Sequence, residues 1–159
     1  MKKSIMMVGA LFIVAGALTI GFAAHHVNPE LNAIFESGIK ALNEDNLEAF
    51  GALHTQDGIH IGVQEGQLEI GWAEYKPRIE QYLAMPAMIT NAKPVAAKVV
   101  GDTGWGVWTF TNEIGEGDQK MASETRLTLV FEKVDGKWLV SHSHVSAGMP
   151  PMAPPSAEK

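Results

Sequence analysis

The feature that most constrains this chain is Asp135-Gly136, set between two runs of alternating residues, Glu124–Val134 and Lys137–Ser146. Both residues of such a pair accept positive φ, so the spacing predicts an antiparallel hairpin closed by a two-residue turn. Alternation puts Leu127, Leu129 and Phe131 on one face of the first strand, and Arg126, Thr128 and Val130 on the other. On the second strand it puts Trp138, Val140, His142 and His144 together, opposite Leu139, Ser141, Ser143 and Val145. A hairpin alone is only marginally stable, so the rest of the chain must cover one of these faces.

What precedes the hairpin supplies the cover. Asn28-Pro29-Glu30 reads as a helix start, with Asn as the cap, Pro at the first position and an acid in the first turn. Leu31, Ile34, Phe35, Gly38, Ile39 and Leu42 then form one apolar stripe, with Gly38 allowing a close approach. Asp45 and Glu48 resemble a capping box for a short second helix bearing Leu47, Phe50 and Leu53, with His54 near its negative end. Gly58–Val63 alternates like a short strand. Trp72, Tyr75, Ile79 and Tyr82 or Leu83 give the next stretch an apolar side, with Pro77 expected to confine its helix to 77–84. Val95–Val100 and Trp105–Ile114 read as further strands. Helices gathered first and strands last predict an α+β fold, a curved antiparallel sheet with about three helices on its concave face and a cavity between.

The flanks differ in kind. Lys2 and Lys3 precede an uncharged apolar run, Ile5–Ala24, and Gly21-Phe22-Ala23 fits small-x-small cleavage. Residues 1–24 are therefore expected to be a signal peptide. The alternative is an uncleaved membrane anchor over residues 5–24, since the run approaches the ~20 residues that span a bilayer. Either way the domain, residues 25–148, is expected to face a periplasmic or extracellular space. Residues 149–159, with four prolines in Met149–Lys159, read as a disordered tail. The chain holds no cysteine, which excludes disulfides, thiolate metal sites and cysteine nucleophiles. A net charge of −6 with no basic cluster argues against nucleic acid as a partner.

The ending, S-E-T-R, D-G-K-W and W-L-V-S-H-S-H-V-S-A-G-M-P, resembles that of the calcium/calmodulin-dependent protein kinase II association domain. It is equally similar to SnoaL-like domains of the nuclear-transport-factor-2-like superfamily. Ala41–Glu48 and Gly66-x-Leu68-x-x-Gly71 look like helix junctions of the same superfamily, so the resemblance runs from about Glu30 to Pro150. It implies a cone-shaped half-barrel that holds a small ligand and assembles as a dimer or larger oligomer through its sheet. By the same resemblance the pocket arginine falls on Arg126, its neighbours on Thr111 and Val145, and the pocket histidine of the third helix on Tyr75. The catalytic positions of ketosteroid isomerases fall on Gly62, Gly38 and an uncharged part of Thr125–Phe131, so that chemistry has no apparatus here.

These readings give an expected ligand pocket of Arg126, Tyr75, Trp105, Thr111 and His60. A guanidinium there could clamp a carboxylate in a bidentate pair, or be taken up by Glu124. Trp105 shares its face with Thr109 and Thr111 and is expected to line the pocket, with Trp108 and Phe110 packed between subunits or forming plain core. His142-x-His144 has the spacing of some zinc and iron sites, with His60 as a conceivable third ligand, but no acid stands in register. The resemblance turns Val145 to the pocket, which would leave His142 and His144 as a polar pair or interface contact on the other side, and no metal or cofactor is assigned. A second short pattern, Ala24-His25-His26, could bind copper or nickel were the leader cut after Ala23. The expected function is an exported domain that binds a small, partly apolar ligand. The alternative is an enzyme of the same fold acting on a hydrophobic molecule, which needs His60 or Glu124 as a base inside the cavity.

Overall fold

The computed structural model describes residues 26–64 and 66–148; the expected leader and tail lie outside the described residues. Three helices, α1 (Pro29–Asn43), α2 (Leu47–Gly51) and α3 (Trp72–Leu83), are combined with six strands. The strands are β1 (His54–Ile61), β2 (Leu68–Ile70), β3 (Ala87–Val100), β4 (Thr103–Ile114), β5 (Met121–Val134) and β6 (Lys137–Ala147). They form one curved sheet in the order β2-β1-β6-β5-β4-β3. All neighbours are antiparallel except β1 and β6, which run parallel and so join the two halves of the chain.

Local chemistry explains most of these boundaries. Asn28 Oδ1 accepts from Leu31 N at 3.1 Å, capping α1 as its sequence promised. The cap of α2 is Asn46 rather than Asp45: Asn46 Oδ1 accepts from Ala49 N at 2.9 Å, while Asp45 makes the turn at φ 54°. Pro77 does not delay α3. The helix starts at Trp72 and runs through the proline, which is exposed and forgoes one backbone bond. The β5–β6 turn has φ 50° at Asp135 and 79° at Gly136, the left-handed pair that the hairpin required.

The core lies between α1 and the sheet. Leu31 and Phe35 pack on Trp108, Phe110, Leu129, Phe131 and Val140. Trp108 is fully buried, stacked on Phe35 with ring centroids 4.8 Å apart, and its Nε1 donates to Asn32 Oδ1 at 3.0 Å. Gly106 makes room for it, because a Cβ there would run into the Trp108 ring. Of the two readings for Trp108 and Phe110, plain core is the one found and packing between subunits is not: both belong to the helix-covered face.

One irregularity decides the rest. Along β5 and β6, Val130 faces His142 but Phe131 faces Val140, so Ser141 is an extra residue, a β-bulge. Simple alternation put Val140 on the same face as His142 and His144. The bulge reverses the alternation. Val140, Ser143 and Val145 all point toward the helices, and the two histidines point away.

Candidate ligand cavity

Under α1 the sheet encloses a cavity of about 100 Å³. Ile34, Phe35, Ile39 and Leu42 of α1 roof it, and Phe110, Leu127, Leu129 and Val145 floor it. Gly38 opens it further, for a Cβ there would meet Leu53 and Phe50 only at 3.7 and 3.8 Å, so the glycine is not forced by a tight contact. A larger depression, about 390 Å³, lies outside between α1 and β3. It is an open groove lined by Glu36, Lys40 and Glu44, and it shields nothing from water. The interior cavity holds the unusual chemistry.

Its polar end is built by His54, Tyr75 and Ser143, with His60 behind them. His54 opens β1 directly after α2, and its Nδ1 lies 2.9 Å from Phe50 O. A carbonyl can only accept, so Nδ1 carries the proton and Nε2 is left with its lone pair. The imidazole packs on Trp72 at 5.6 Å and on Phe50 at 4.6 Å. Burial lowers its pKa to about 4, against a partial opposing effect of the Phe50 hydrogen bond.

His60 is completely buried. Its ring stacks on Tyr75 with centroids 3.9 Å apart, and Nδ1 meets Ser143 Oγ at 2.9 Å. Burial, followed by repulsion from His54, Arg78 and His142, lowers its pKa to about 3. Both imidazoles are therefore neutral at pH 7. The Tyr75 phenol is pushed up, chiefly by burial. Arg78 lies 4.9 Å over the Tyr75 ring, and its Nη2 pairs with Glu69 Oε2 at 2.7 Å. Gly62 leaves room for the ends of Arg78 and Gln67, flexible tips that a Cβ there would push aside.

Of the five residues expected in the pocket, the fold brings together two, Tyr75 and His60. Arg126, Trp105 and Thr111 lie on the open face of the sheet. Arg126 is exposed opposite Thr109 and Ser146, while its neighbours Thr125 and Leu127 point inward. A strand residue cannot reach through its own sheet, so Arg126 cannot clamp a ligand in this cavity. Trp105, 42% exposed, shares that outer face. Glu124 is exposed as well, and among the described residues Arg126 makes no ion pair. Sequence reasoning missed His54 and Ser143 as lining residues. The signal for Ser143 was its alternation with Val145; that for His54 was hidden by treating it as a helix end.

This architecture, helices on one face of a curved six-stranded sheet with a cavity between, is the cystatin-like, nuclear-transport-factor-2-like class. Within it the chain belongs to the SnoaL-like domain family, whose model matches residues 31–150. An uncharacterised protein with a cystatin-like fold from Caulobacter vibrioides superposes with a TM-score of 0.66 at 20% identity, covering 76% of this chain and 89% of that one. A calcium/calmodulin dependent protein kinase II association-domain-like protein from Xanthomonas campestris gives 0.63 at 26% identity, over 77% and 87%. A ketosteroid isomerase-like protein from Erwinia carotovora atroseptica gives 0.66 at 13% identity, over 76% and 95%. Comparison with curated proteins gave no match.

Proposed function

We propose that this domain binds a compact, neutral, largely apolar small molecule in the cavity under α1. The observation that carries this reading is the mixed lining: an apolar chamber closed at one end by a neutral His54, Tyr75 and Ser143. Such a site rewards an apolar body with one polar group and penalises a charge, which would be buried without a counterion. The volume bounds the ligand's size. An apolar cavity near 150 Å³ takes benzene, so about 100 Å³ is small even for one bare ring, and a substituted ring enters only with an outward shift of α1. Two further parts complete the reading. Self-association runs through the open sheet face, where Ile59, His142, Val130 and Trp105 form one cross-strand row. Export follows from the charged start and apolar run of residues 1–24.

An enzyme of the same cavity is the second reading, favoured by the two buried imidazoles. Their pKa values, about 4 and about 3, make them weak bases at neutral pH, so hydrogen bonding to a ligand suits them better than proton abstraction. A thermal-shift series separates the cases. Neutral single-ring alcohols and ketones should raise Tm, and benzoate-type anions should not. Ser143→Ala should weaken the shift, and a series in which only carboxylates bind would overturn the proposal. Exchange of α-protons from a bound ketone, lost in His54→Gln, would move the reading to the enzyme.

A further inference from the structure

The strand pairing of β1 with β6 is broken once. His54 pairs with Val140 and Ile59 with His142, so residues 55–58 stand against Ser141 alone. That bulge opens the ladder at a buried place. Two buried side-chain atoms, Thr55 Oγ1 within it and His60 Nε2 just beyond it, have no hydrogen-bond partner among the described residues. Their positions are related. A Cβ added to Gly58 would lie 3.1 Å from each of them and 3.0 Å from Ser141 O. Three polar atoms thus converge on the side of Gly58 that carries no side chain, although Gly58 has no left-handed φ to demand glycine.

A buried polar group left without a partner costs about 1–3 kcal/mol, and two side by side in a native fold are rare. Buried waters typically resolve such cases with about three hydrogen bonds. We infer that the Gly58 bulge is a binding site for one ordered water molecule, held by Thr55 Oγ1, His60 Nε2 and Ser141 O. The chemistry selects water over an ion. Ser141 O can only accept, Thr55 Oγ1 can do either, and His60 is neutral, so the site has no charge with which to hold an anion or a cation. Among the described residues no cluster of three His, Asp or Glu could supply one.

The water stands at the back of a chain that reaches the cavity, because His60 Nδ1 contacts Ser143 Oγ and Ser143 lines the chamber. Water both donates and accepts, so it satisfies Nε2 in either imidazole tautomer. Resting on the cavity reading above, this lets the Ser143 hydroxyl, which also lies within hydrogen-bond reach of the Tyr75 phenol, act as donor or as acceptor at that end of the chamber.

The test does not depend on any ligand. A high-resolution crystal structure of the protein should show one density peak within hydrogen-bond distance of Thr55 Oγ1, His60 Nε2 and Ser141 O. In Gly58→Ala the peak should be gone, and ¹⁷O relaxation dispersion should count one long-lived internal water fewer. Should that variant not fold, Thr55→Val removes one partner while keeping the shape, and should abolish or displace the peak. No peak in the parent protein, with Thr55 Oγ1 and His60 Nε2 bonded to protein groups instead, would overturn the inference. So would an unchanged water count in Gly58→Ala. Either failure leaves the cavity reading standing, since the cavity is lined by other atoms.

Discussion

The two tryptophans of β4, three residues apart, measure the difference between the faces of one sheet. Trp108 is fully buried, with Phe35 stacked on it and Phe131 edge-on at 6.0 Å. Trp105 is 42% exposed on the opposite face, opposite Lys98 and Val130. Alternation alone makes the two faces equivalent, and both carry aromatic and β-branched residues. What separates them is α1, whose stripe covers one and leaves the other open. The inner face is then a folding device, and the outer one is the surface proposed above for self-association. The first is judged by what unfolds the domain, the second by what changes its size in solution.

Substitution should break this symmetry most visibly at the tryptophans. Trp108→Ala removes a fully buried ring and its bond to Asn32, and is expected to cost about 3–5 kcal/mol, read by urea denaturation. Trp105→Ala is expected to leave the denaturation midpoint of the monomer nearly unchanged and to shift sedimentation toward smaller species. Equal losses of stability at both positions would show that the outer face, too, is core.

Acid separates the cavity's polar end from the apolar core beneath α1. His54 and His60 keep neutral rings in the folded chain, with pKa values of about 4 and about 3 against 6.5 when unfolded. Below pH 6.5 the unfolded chain takes up protons that the folded chain refuses, so acid favours unfolding. On account of these two rings, stability should level off above that pH, until alkali ionises the Tyr75 phenol of the unfolded chain, and should fall between about 6.5 and 4 by up to about 1.4 kcal/mol per pH unit for each histidine. His60→Phe, if folded, should halve the slope. A stability profile flat from pH 7 to 4 would contradict the burial of both rings.

Packing around the cavity's outer shell should answer more weakly. A Cβ on Gly51 would come within 2.5 Å of the Trp72 ring, which stacks on His54. Gly51→Ala is expected to cost about 1–3 kcal/mol by forcing that ring aside. The same change at Gly38, where neighbours stand at 3.7 Å or more, should cost less and should shrink the cavity, lowering any ligand-induced Tm shift.

How much of this the sequence disclosed follows the same division. The hairpin, the α1 cap and the apolar stripe rest on local rules of φ, capping and periodicity, and they were legible. Which face of β5 is inside is not a local property. Leu127 and Arg126 were correctly placed on opposite faces, yet the helix-covered side is set by α1 packing, and the resemblance had drawn Arg126 inward. The Ser141 bulge was illegible because a serine within an alternating run gives no sign of being unpaired. His54 was hidden for a related reason: α2 ends at Gly51, two residues short of its last apolar residue Leu53, and β1 begins at His54 itself.

The smallest expected effect is the sharpest check on that correction. Arg126→Ala removes an exposed guanidinium from the outer face, where Thr109 and Ser146 are its register partners. Exposed substitutions of this kind usually change stability by no more than about 0.5 kcal/mol. The cavity lies on the other side of the strand, so the Tm shift given by a neutral single-ring ligand should be the same in the variant and the parent. A small change in self-association is expected instead, because the charge shares the outer face with the row of Ile59, His142, Val130 and Trp105, four residues along β5 from Val130. If ligand shifts disappeared while sedimentation stayed the same, the two faces would have to be exchanged. Arg126 would then be the anchor of a pocket on the open side.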